Sequence, residues 1–121
     1  MSNKVLVVDD SGTMRKIIIR ALNAAGYTDV VEAADGAEGL AAFQADTFQL
    51  VMTDWNMPNK NGLELTREIR ALGSSTPIFM VTTEGEKSRV LEAITAGITD
   101  YLVKPFSADV LREKLDKYAV V

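Results

Sequence analysis

Acidic, hydroxyl and lysine side chains stand at the ends of four short apolar runs of the chain. The runs "VLVV", "LVMT", "PIFMV" and "YLV" are followed directly by Asp9 and Asp10, by Asp54, by Thr82 and by Lys104. If carboxylates lie close together, their repulsion is relieved by protonation of one of them or by a hard cation such as Mg²⁺, which prefers oxygen ligands. An ammonium group and a divalent cation would together neutralise a phosphoryl group, and an aspartate could accept that group as an acyl phosphate. These residue types therefore point to Mg²⁺-dependent phosphoryl transfer, if the fold brings the four ends together.

The four runs belong to a regular alternation of strand and helix patterns. Short apolar runs without a polar face are typical of strands that are buried on both sides. The predicted strands are Val5–Val8, a short strand around Val30, Gln49–Thr53, Pro77–Thr82 and Tyr101–Val103. With helical spacing between them the order is βαβαβαβαβα, which predicts an α/β fold with a parallel sheet and helices on both faces. The carboxyl ends of parallel strands share one edge of the sheet, so the polar side chains named above would meet there.

Cap and turn residues mark the ends of the predicted helices. Ser11 and Ser107 stand where helix N-caps are expected, and Asp35 with Glu38 has the spacing of a capping box. The glycines expected to end helices are Gly26, Gly73 and Gly97. The apolar positions that predict the first, fourth and fifth helices are Met14, Ile17, Ile18, Ala21, Leu22 and Ala25; Val90, Leu91 and Ile94; and Val110, Leu111, Leu115 and Tyr118, the last four facing the core.

Composition excludes several other kinds of site. The 121 residues carry a net charge of -4 with a pI of about 4.8, so a basic surface for nucleic acid is not expected. Without cysteine there is no disulfide or thiolate metal site, and without histidine any phosphohistidine must belong to another molecule. The amino-terminal apolar run is not a signal peptide, and no run approaches the ~18 residues of a membrane span. We therefore expect a cytoplasmic protein, with no membrane or nucleic-acid partner, that forms one domain over residues 1–121.

Each of these residues alone has a more ordinary interpretation. An aspartate after a strand is usually a helix cap or a turn residue, a lone Lys104 would be a solvated surface lysine, and a lone Thr82 a strand residue. Met52 and Met57 are expected to fill the core or a loop rather than to contact a cofactor. The Lys104–Pro105 peptide bond could be cis or trans. The site prediction therefore depends on the convergence of several strand ends, which seldom meet with compatible chemistry by chance.

Four segments of the chain resemble a known family. The segments "VLVVDDS", "VMTDWNMPNKNGLEL", "FMVTTEGE" and "DYLVKPF" are similar, in order and over essentially the whole chain, to the signature segments of response-regulator receiver domains. The resemblance implies a flavodoxin-like doubly wound (βα)5 fold whose five-stranded parallel sheet has the order 2-1-3-4-5. It also implies that residues 1–121 are a single receiver domain without an output domain.

The resemblance implies a role for each residue at the strand ends. Asp54 matches the phosphoacceptor of the family. Asp9 and Asp10 match its metal-binding acids and, together with Asp54 and the backbone carbonyl of Asn56, would hold one Mg²⁺ per domain. Lys104 matches the lysine that contacts the phosphoryl group.

Further positions match the switch and rate-tuning residues of the family. Thr82 matches the switch hydroxyl, and Tyr101 matches the aromatic residue that moves inward on activation. Asn56 and Glu84 stand at positions that tune dephosphorylation. Thr83 departs from the small residue that usually follows the switch threonine, and its bulk could narrow access to the phosphoryl site.

The segments "DWNMPNKNGLEL" and "EKLDKY" are more narrowly similar to single-domain chemotaxis regulators. That similarity implies a chemotaxis histidine kinase (CheA-like) as phosphodonor and a flagellar motor switch protein (FliM-like) as target, with a phosphatase as a further candidate partner. The protein would be a monomeric signalling switch rather than an enzyme with its own exogenous substrate.

Three other functions are compatible with parts of the sequence. The chain could pass a phosphoryl group along a relay or control a target other than motility. A flavodoxin-like cofactor binder would need a phosphate-binding loop after the first strand, where "DDSGTM" places two acids instead. An aspartyl-phosphate phosphohydrolase would usually carry an acid two residues after its nucleophile, where this chain has Asn56.

Overall fold

The computed structural model describes residues 4–118, with residues 84, 85 and 87 described by their backbone alone. Strands and helices alternate through this range. The strands are β1 (Lys4–Val8), β2 (Asp29–Ala33), β3 (Leu50–Asp54), β4 (Ile78–Thr82) and β5 (Asp100–Val103). The helices are α1 (Gly12–Ala24), α2 (Gly36–Ala45), α3 (Gly62–Ala71), α4 (Val90–Ala96) and α5 (Ala108–Lys117), and a 3₁₀ helix, Glu84–Arg89, precedes α4.

The strands form one parallel sheet in the order β2-β1-β3-β4-β5. Both the parallel α/β architecture and the 2-1-3-4-5 order are therefore confirmed. The register places Val81 opposite Asp54 and Val103 opposite Thr82, so the ends of the three strands that follow β1 in the sheet are nearly level. None of the helices in residues 4–118 is long and apolar enough to cross a membrane.

Helices cover both faces of the sheet, which is why β1, β3 and β4 are largely apolar without alternation. In β1, Val5 and Val7 belong to the core shared with α1 and α5, whereas Leu6 and Val8 belong to the core shared with α2, α3 and α4. Burial of one such side chain contributes about 1.5–3 kcal/mol. The buried strands form a rigid platform for the residues at their carboxyl ends.

The helix starts follow the cap residues. Ser11 and Ser107 accept hydrogen bonds from the backbone N–H groups of Met14 and Val110, as their sequence positions predicted. Asp35 caps α2 by accepting from the N–H of Glu38, but Glu38 reaches back to the N–H of Ala34 rather than to that of the cap.

A reciprocal capping box, not foreseen from the sequence, begins α3. Asn61 accepts from the N–H of Glu64, and the Glu64 carboxylate accepts from the N–H of Asn61. The glycines predicted to end helices all have positive φ, which favours glycine at a helix C-terminus: Gly26 (96°), Gly73 (85°) and Gly97 (115°).

The prediction that Val110 faces the core is wrong, since Val110 is 40% exposed. In α5 the stripe directed at the sheet is formed by Leu111 and Leu115, and the preceding residue lies about 100° away around a helix of 3.6 residues per turn. The same geometry in α1 buries Ile18 and leaves Ile17 46% exposed.

The fourth helix begins at Val90 and is capped at its carboxyl end by Gly97, as its pattern indicated, but it is more exposed than that apolar pattern suggested. Within α4, Val90 is buried, but Leu91 is 77% and Ile94 is 50% exposed. The residues directly before Val90 form the 3₁₀ helix. The N-cap residue of α4 is Arg89, and its side chain makes no capping hydrogen bond. Two predicted strands also begin one residue later than expected, because Gln49 and Pro77 lie outside β3 and β4.

Close packing between β3 and α3 requires glycine at position 62. The N–H of Gly62 donates to the carbonyl of Trp55 at 2.8 Å, and a Cβ atom on Gly62 would lie 2.2 Å from the carbonyl oxygen of Asp54. Any larger residue would therefore have to displace the backbone at the end of β3.

We predict that Gly62→Ala destabilises the protein by about 2 kcal/mol, because the forced backbone shift outweighs the gain of about 1 kcal/mol that alanine brings to a helix. The matched control is Gly12→Ala, also at the first position of a capped helix. A Cβ there would meet only the end of the Arg15 side chain, at 3.4 Å, so no destabilisation is expected. Urea unfolding measures both variants, and equal stabilities would contradict the close packing.

Candidate functional site

Four neighbouring strands deliver polar residues to one edge of the sheet. Asp9 follows β1, Asp54 is the last residue of β3, Thr82 is the last residue of β4, and Lys104 follows β5. Backbone hydrogen bonds fix two of these positions: the N–H of Asp9 donates to the carbonyl of Ala33, and that of Lys104 donates to the carbonyl of Thr82 at 2.7 Å. The parallel sheet thus brings together the residues that the sequence placed at separate strand ends.

Three carboxylates form the centre of this edge. Asp9, Asp10 and Asp54 each offer an oxygen, and these oxygens all lie within 4.8 Å of one another. Asp9 is 1% and Asp54 8% exposed, whereas Asp10 is open to solvent. The like charges are therefore close together, and two of them are largely shielded from water.

Lys104 places a cation among the carboxylates. Its Nζ atom lies 3.2 Å from Oδ1 of Asp54 and 3.6 Å from Oδ2 of Asp9. The same Asp54 oxygen also accepts the backbone N–H of Trp55, at 2.8 Å. These contacts hold one oxygen of Asp54 in place and orient its carboxyl group.

Burial raises the pKa of Asp54 above its ordinary value, and the charge of Asp9 adds to the rise. Lys104 and the Trp55 N–H oppose the shift but do not cancel it. A charged Asp54 in this site is therefore costly to the folded protein, and an additional cation would reduce that cost.

The acidic cluster is suited to a hard metal ion. Oδ1 of Asp9 accepts the N–H of Ser11 at 2.8 Å, but Oδ2 of Asp9, although buried, has no hydrogen-bond donor in the described part of the chain. An oxygen in that position, beside two further carboxylates and without sulfur or imidazole ligands, fits the donor set that Mg²⁺ prefers.

Thr82 and Tyr101 lie to one side of the acidic cluster. Thr82 is fully buried, and its hydroxyl makes a long hydrogen bond, 3.4 Å, to the carbonyl of Leu102. Tyr101 is half-buried against the core, and the ammonium of Lys114 lies 5.3 Å from its ring centroid. The Thr82 hydroxyl is therefore only weakly held, and the Tyr101 ring is neither fully buried in the core nor fully exposed to solvent.

The rate-tuning candidates lie on the loops after β3 and β4. Asn56 and Thr83 are both exposed. The side chain of Glu84 lies outside the described residues. The Lys104–Pro105 peptide bond beside the site is cis. Met52 is buried in the core and Met57 packs against it, as expected.

Two residues of the site were not foreseen from the sequence. Arg15 donates to the carbonyl of Asp9 at 2.6 Å and to the carboxylate of Glu32 at 2.8 Å, which fixes the backbone beside the acid pair. Glu86 accepts from the side-chain amide of Asn56 and from the N–H of Thr83. The only sequence signal for Glu86 was its place in the acidic segment that follows β4.

Comparison with known proteins identifies the family. Residues 5–116 match the response regulator receiver domain. Over 116 residues the chain is 48% identical to chemotaxis protein CheY1 of Helicobacter pylori strain J99, covering 93% of this chain and 94% of that protein.

Solved structures agree with this assignment. Chemotaxis protein CheY4 of Vibrio cholerae is 38% identical and superimposes with a TM-score of 0.88 over 100% of both chains. The receiver domain of the sensor histidine kinase PA1611 of Pseudomonas aeruginosa, which has a magnesium ion in its active-site cleft, is 28% identical with a TM-score of 0.86 over 98% of both chains. The chain therefore belongs to the receiver-domain family of two-component response regulators and is similar to the chemotaxis regulators named CheY.

Proposed function

We propose that the chain is a signalling switch in which Asp54 accepts a phosphoryl group from a CheA-like histidine kinase. The arrangement around Asp54 carries the proposal. Its Oδ1 atom is held by Lys104 and by the Trp55 N–H, whereas no described residue donates a hydrogen bond to Oδ2. Oδ2 therefore keeps its lone pairs for attack on phosphorus.

The transfer exchanges one bond to phosphorus for another. A carboxylate oxygen of Asp54 forms a P–O bond while the P–N bond of a donor phosphohistidine breaks, and the departing imidazole takes up a proton. Phosphoryl transfer depends mainly on positioning and charge stabilisation, and the Lys104 ammonium provides positive charge for the phosphoryl oxygens. Attack by water on the acyl phosphate releases inorganic phosphate and restores Asp54.

A bound Mg²⁺ would neutralise charge on the transferring group and help to orient it. Asp9, Asp10 and Asp54 would hold it through their carboxylates, and Asn56 would contribute its backbone carbonyl by similarity to the family. The buried Oδ2 atom of Asp9, which accepts no hydrogen bond in the described part of the chain, and the magnesium in the PA1611 receiver domain support this assignment. One ion per domain would suffice for the cluster.

Phosphorylation would be read out through Thr82 and Tyr101. The phosphoryl group adds charge and acceptor oxygens that would attract the weakly held hydroxyl of Thr82. Movement of that side chain would open space for the half-buried Tyr101 ring, changing the face formed by α4, β5 and α5. Leu91 and Ile94 of α4 are already exposed and offer apolar contacts for a target.

The similarity to CheY proteins favours a FliM-like motor switch protein as that target. The protein would act as a binding switch, and its reactions at Asp54 would serve only its own phosphorylation and dephosphorylation. A separate phosphatase would be one way to shorten the signal, and Asn56, Thr83 and Glu84 would tune its intrinsic lifetime.

Incubation with Mg²⁺ and acetyl phosphate should add one phosphoryl group to the wild-type protein, visible as an increase in intact mass. Asp54→Asn should show no increase, because an amide is a poor nucleophile. Asp29→Asn, at the exposed amino end of β2, is the matched control and should be modified like the wild type. A phosphorylated Asp54→Asn protein would contradict the assignment of the nucleophile.

In EDTA at neutral pH, Asp54→Asn should be more stable to urea than the wild type. Because the folded-state pKa of Asp54 is raised, the stability of the wild type decreases as pH rises through the interval between its unfolded and folded pKa values. The advantage of Asp54→Asn should therefore grow from acidic to neutral pH. A less stable Asp54→Asn protein would show that the ionised carboxylate of Asp54 does not destabilise the folded protein.

Magnesium should reverse this order by stabilising the wild type. Ligand at a hundred times its dissociation constant contributes about 2.7 kcal/mol. The single tryptophan, Trp55, donates its backbone N–H to the Asp54 carboxylate and should report Mg²⁺ binding by a change in fluorescence. The fluorescence response should be weaker in Asp54→Asn. A Trp55 fluorescence that does not change with Mg²⁺ in the wild type would argue against the proposed ligands.

Phosphorylation of the wild type should increase its affinity for a peptide from a motor switch protein, and Thr82→Ala should be phosphorylated without that increase. Thr82→Ser retains the hydroxyl and should restore the coupling. Fluorescence anisotropy of a labelled peptide measures the affinities. A full increase in Thr82→Ala would refute the coupling, whereas no increase in the wild type would favour a relay or a target outside motility.

A further inference from the structure

Glu86 joins the two loops that border the reactive aspartate. It belongs to the 3₁₀ helix after β4 and is only 9% exposed. One carboxylate oxygen, Oε1, accepts the backbone N–H of Thr83 at 2.8 Å. The other, Oε2, accepts the side-chain amide of Asn56, which lies 30 residues away in the sequence.

Both donors lie beside the candidate phosphorylation site. Asn56 is two residues beyond Asp54, and Thr83 directly follows β4, whose Val81 is paired with Asp54 in the sheet. A backbone N–H and a side-chain amide are groups that bind anions. In the unphosphorylated protein a carboxylate of the chain itself holds these two donors.

We propose that Glu86 is a positioning residue that restrains phosphoryl transfer to Asp54, because its carboxylate occupies the Asn56 amide and the Thr83 N–H. The inference rests on the function proposed above. Oxygens of an incoming phosphoryl group must compete with Glu86 for these donors, and the Glu86 charge repels an anionic phosphodonor. Both effects slow phosphorylation, so removal of the carboxylate accelerates it.

A purely structural role for Glu86 leads to the opposite result. Its backbone N–H donates to the carbonyl of Thr83 at 3.1 Å, so Glu86 also closes the turn after β4. If its side chain served only to tether the loops, its loss would loosen Asn56 and Thr83 and slow the reaction. The direction of the rate change therefore separates restraint from tethering.

The experiment measures the rate of phosphorylation by acetyl phosphate at saturating Mg²⁺, by intact mass over time. Glu86→Ala should react about three to ten times faster than the wild type, where tenfold corresponds to about 1.4 kcal/mol of barrier. Glu86→Gln loses the charge but keeps one acceptor oxygen, so it should be intermediate. The control Glu92→Gln removes an exposed charge that pairs with Arg89 and should leave the rate unchanged.

An Asn56→Ala background tests whether Glu86 acts through its contact. The acceleration caused by Glu86→Ala should be smaller there, since no amide remains to be released. An equal acceleration in both backgrounds would overturn the positioning role, because the effect would then come from the charge of Glu86 alone.

Unchanged or slower rates in both Glu86 variants would overturn the inference while leaving the phosphorylation of Asp54 intact. If Glu86→Ala fails to fold, as judged by urea unfolding, Glu86→Gln keeps the shape of the side chain and decides the question. A wild-type protein that takes up no phosphoryl group would refute the proposed function itself, and this inference with it.

Discussion

Asp54 lies beside Asp9 in a place from which most water is excluded, so two like charges share a poorly solvated edge of the sheet. Burial and the neighbouring charge raise the pKa of Asp54, and Lys104 with the Trp55 N–H only partly compensates. Electrostatic interactions are strong in such surroundings, which favours both the capture of a cation and the response to a new charge on Asp54. The proposed metal binding, phosphoryl transfer and switching all depend on this one imbalance.

The fold maintains that imbalance by holding the charged groups on rigid supports. The strands β1, β3 and β4 are buried on both faces, so their ends cannot move apart without exposing core residues. Gly62 allows α3 to pack against the backbone of Asp54, and Arg15 fixes the backbone of Asp9. The elements that must move lie outside the buried middle of the sheet: Tyr101 is half-buried in the edge strand β5, and Glu86 belongs to the 3₁₀ helix between β4 and α4.

Residues at the strand ends were predictable because two simple patterns decide their place. Apolar runs and helical spacing establish the parallel alternation, and the alternation alone brings Asp54 and Lys104 to the same edge. Other features depend on contacts between distant segments. Whether Val110 faces the core is set by the direction in which α5 packs, and the inward turn of Glu86 is set by Asn56, which belongs to another loop. The cap Asn61 was hidden among other turn-forming residues of "NMPNKNG".

The carboxylate of Asp54, and no other group of the protein, should carry the phosphoryl group. Borohydride reduces an aspartyl phosphate to homoserine and leaves free carboxylates unchanged, so it marks the modified residue permanently. After treatment of the protein with acetyl phosphate and Mg²⁺, peptide sequencing by mass spectrometry should find homoserine at position 54 alone. Homoserine at position 9 or 10, or a phosphorylated protein with an unreduced Asp54, would contradict the account.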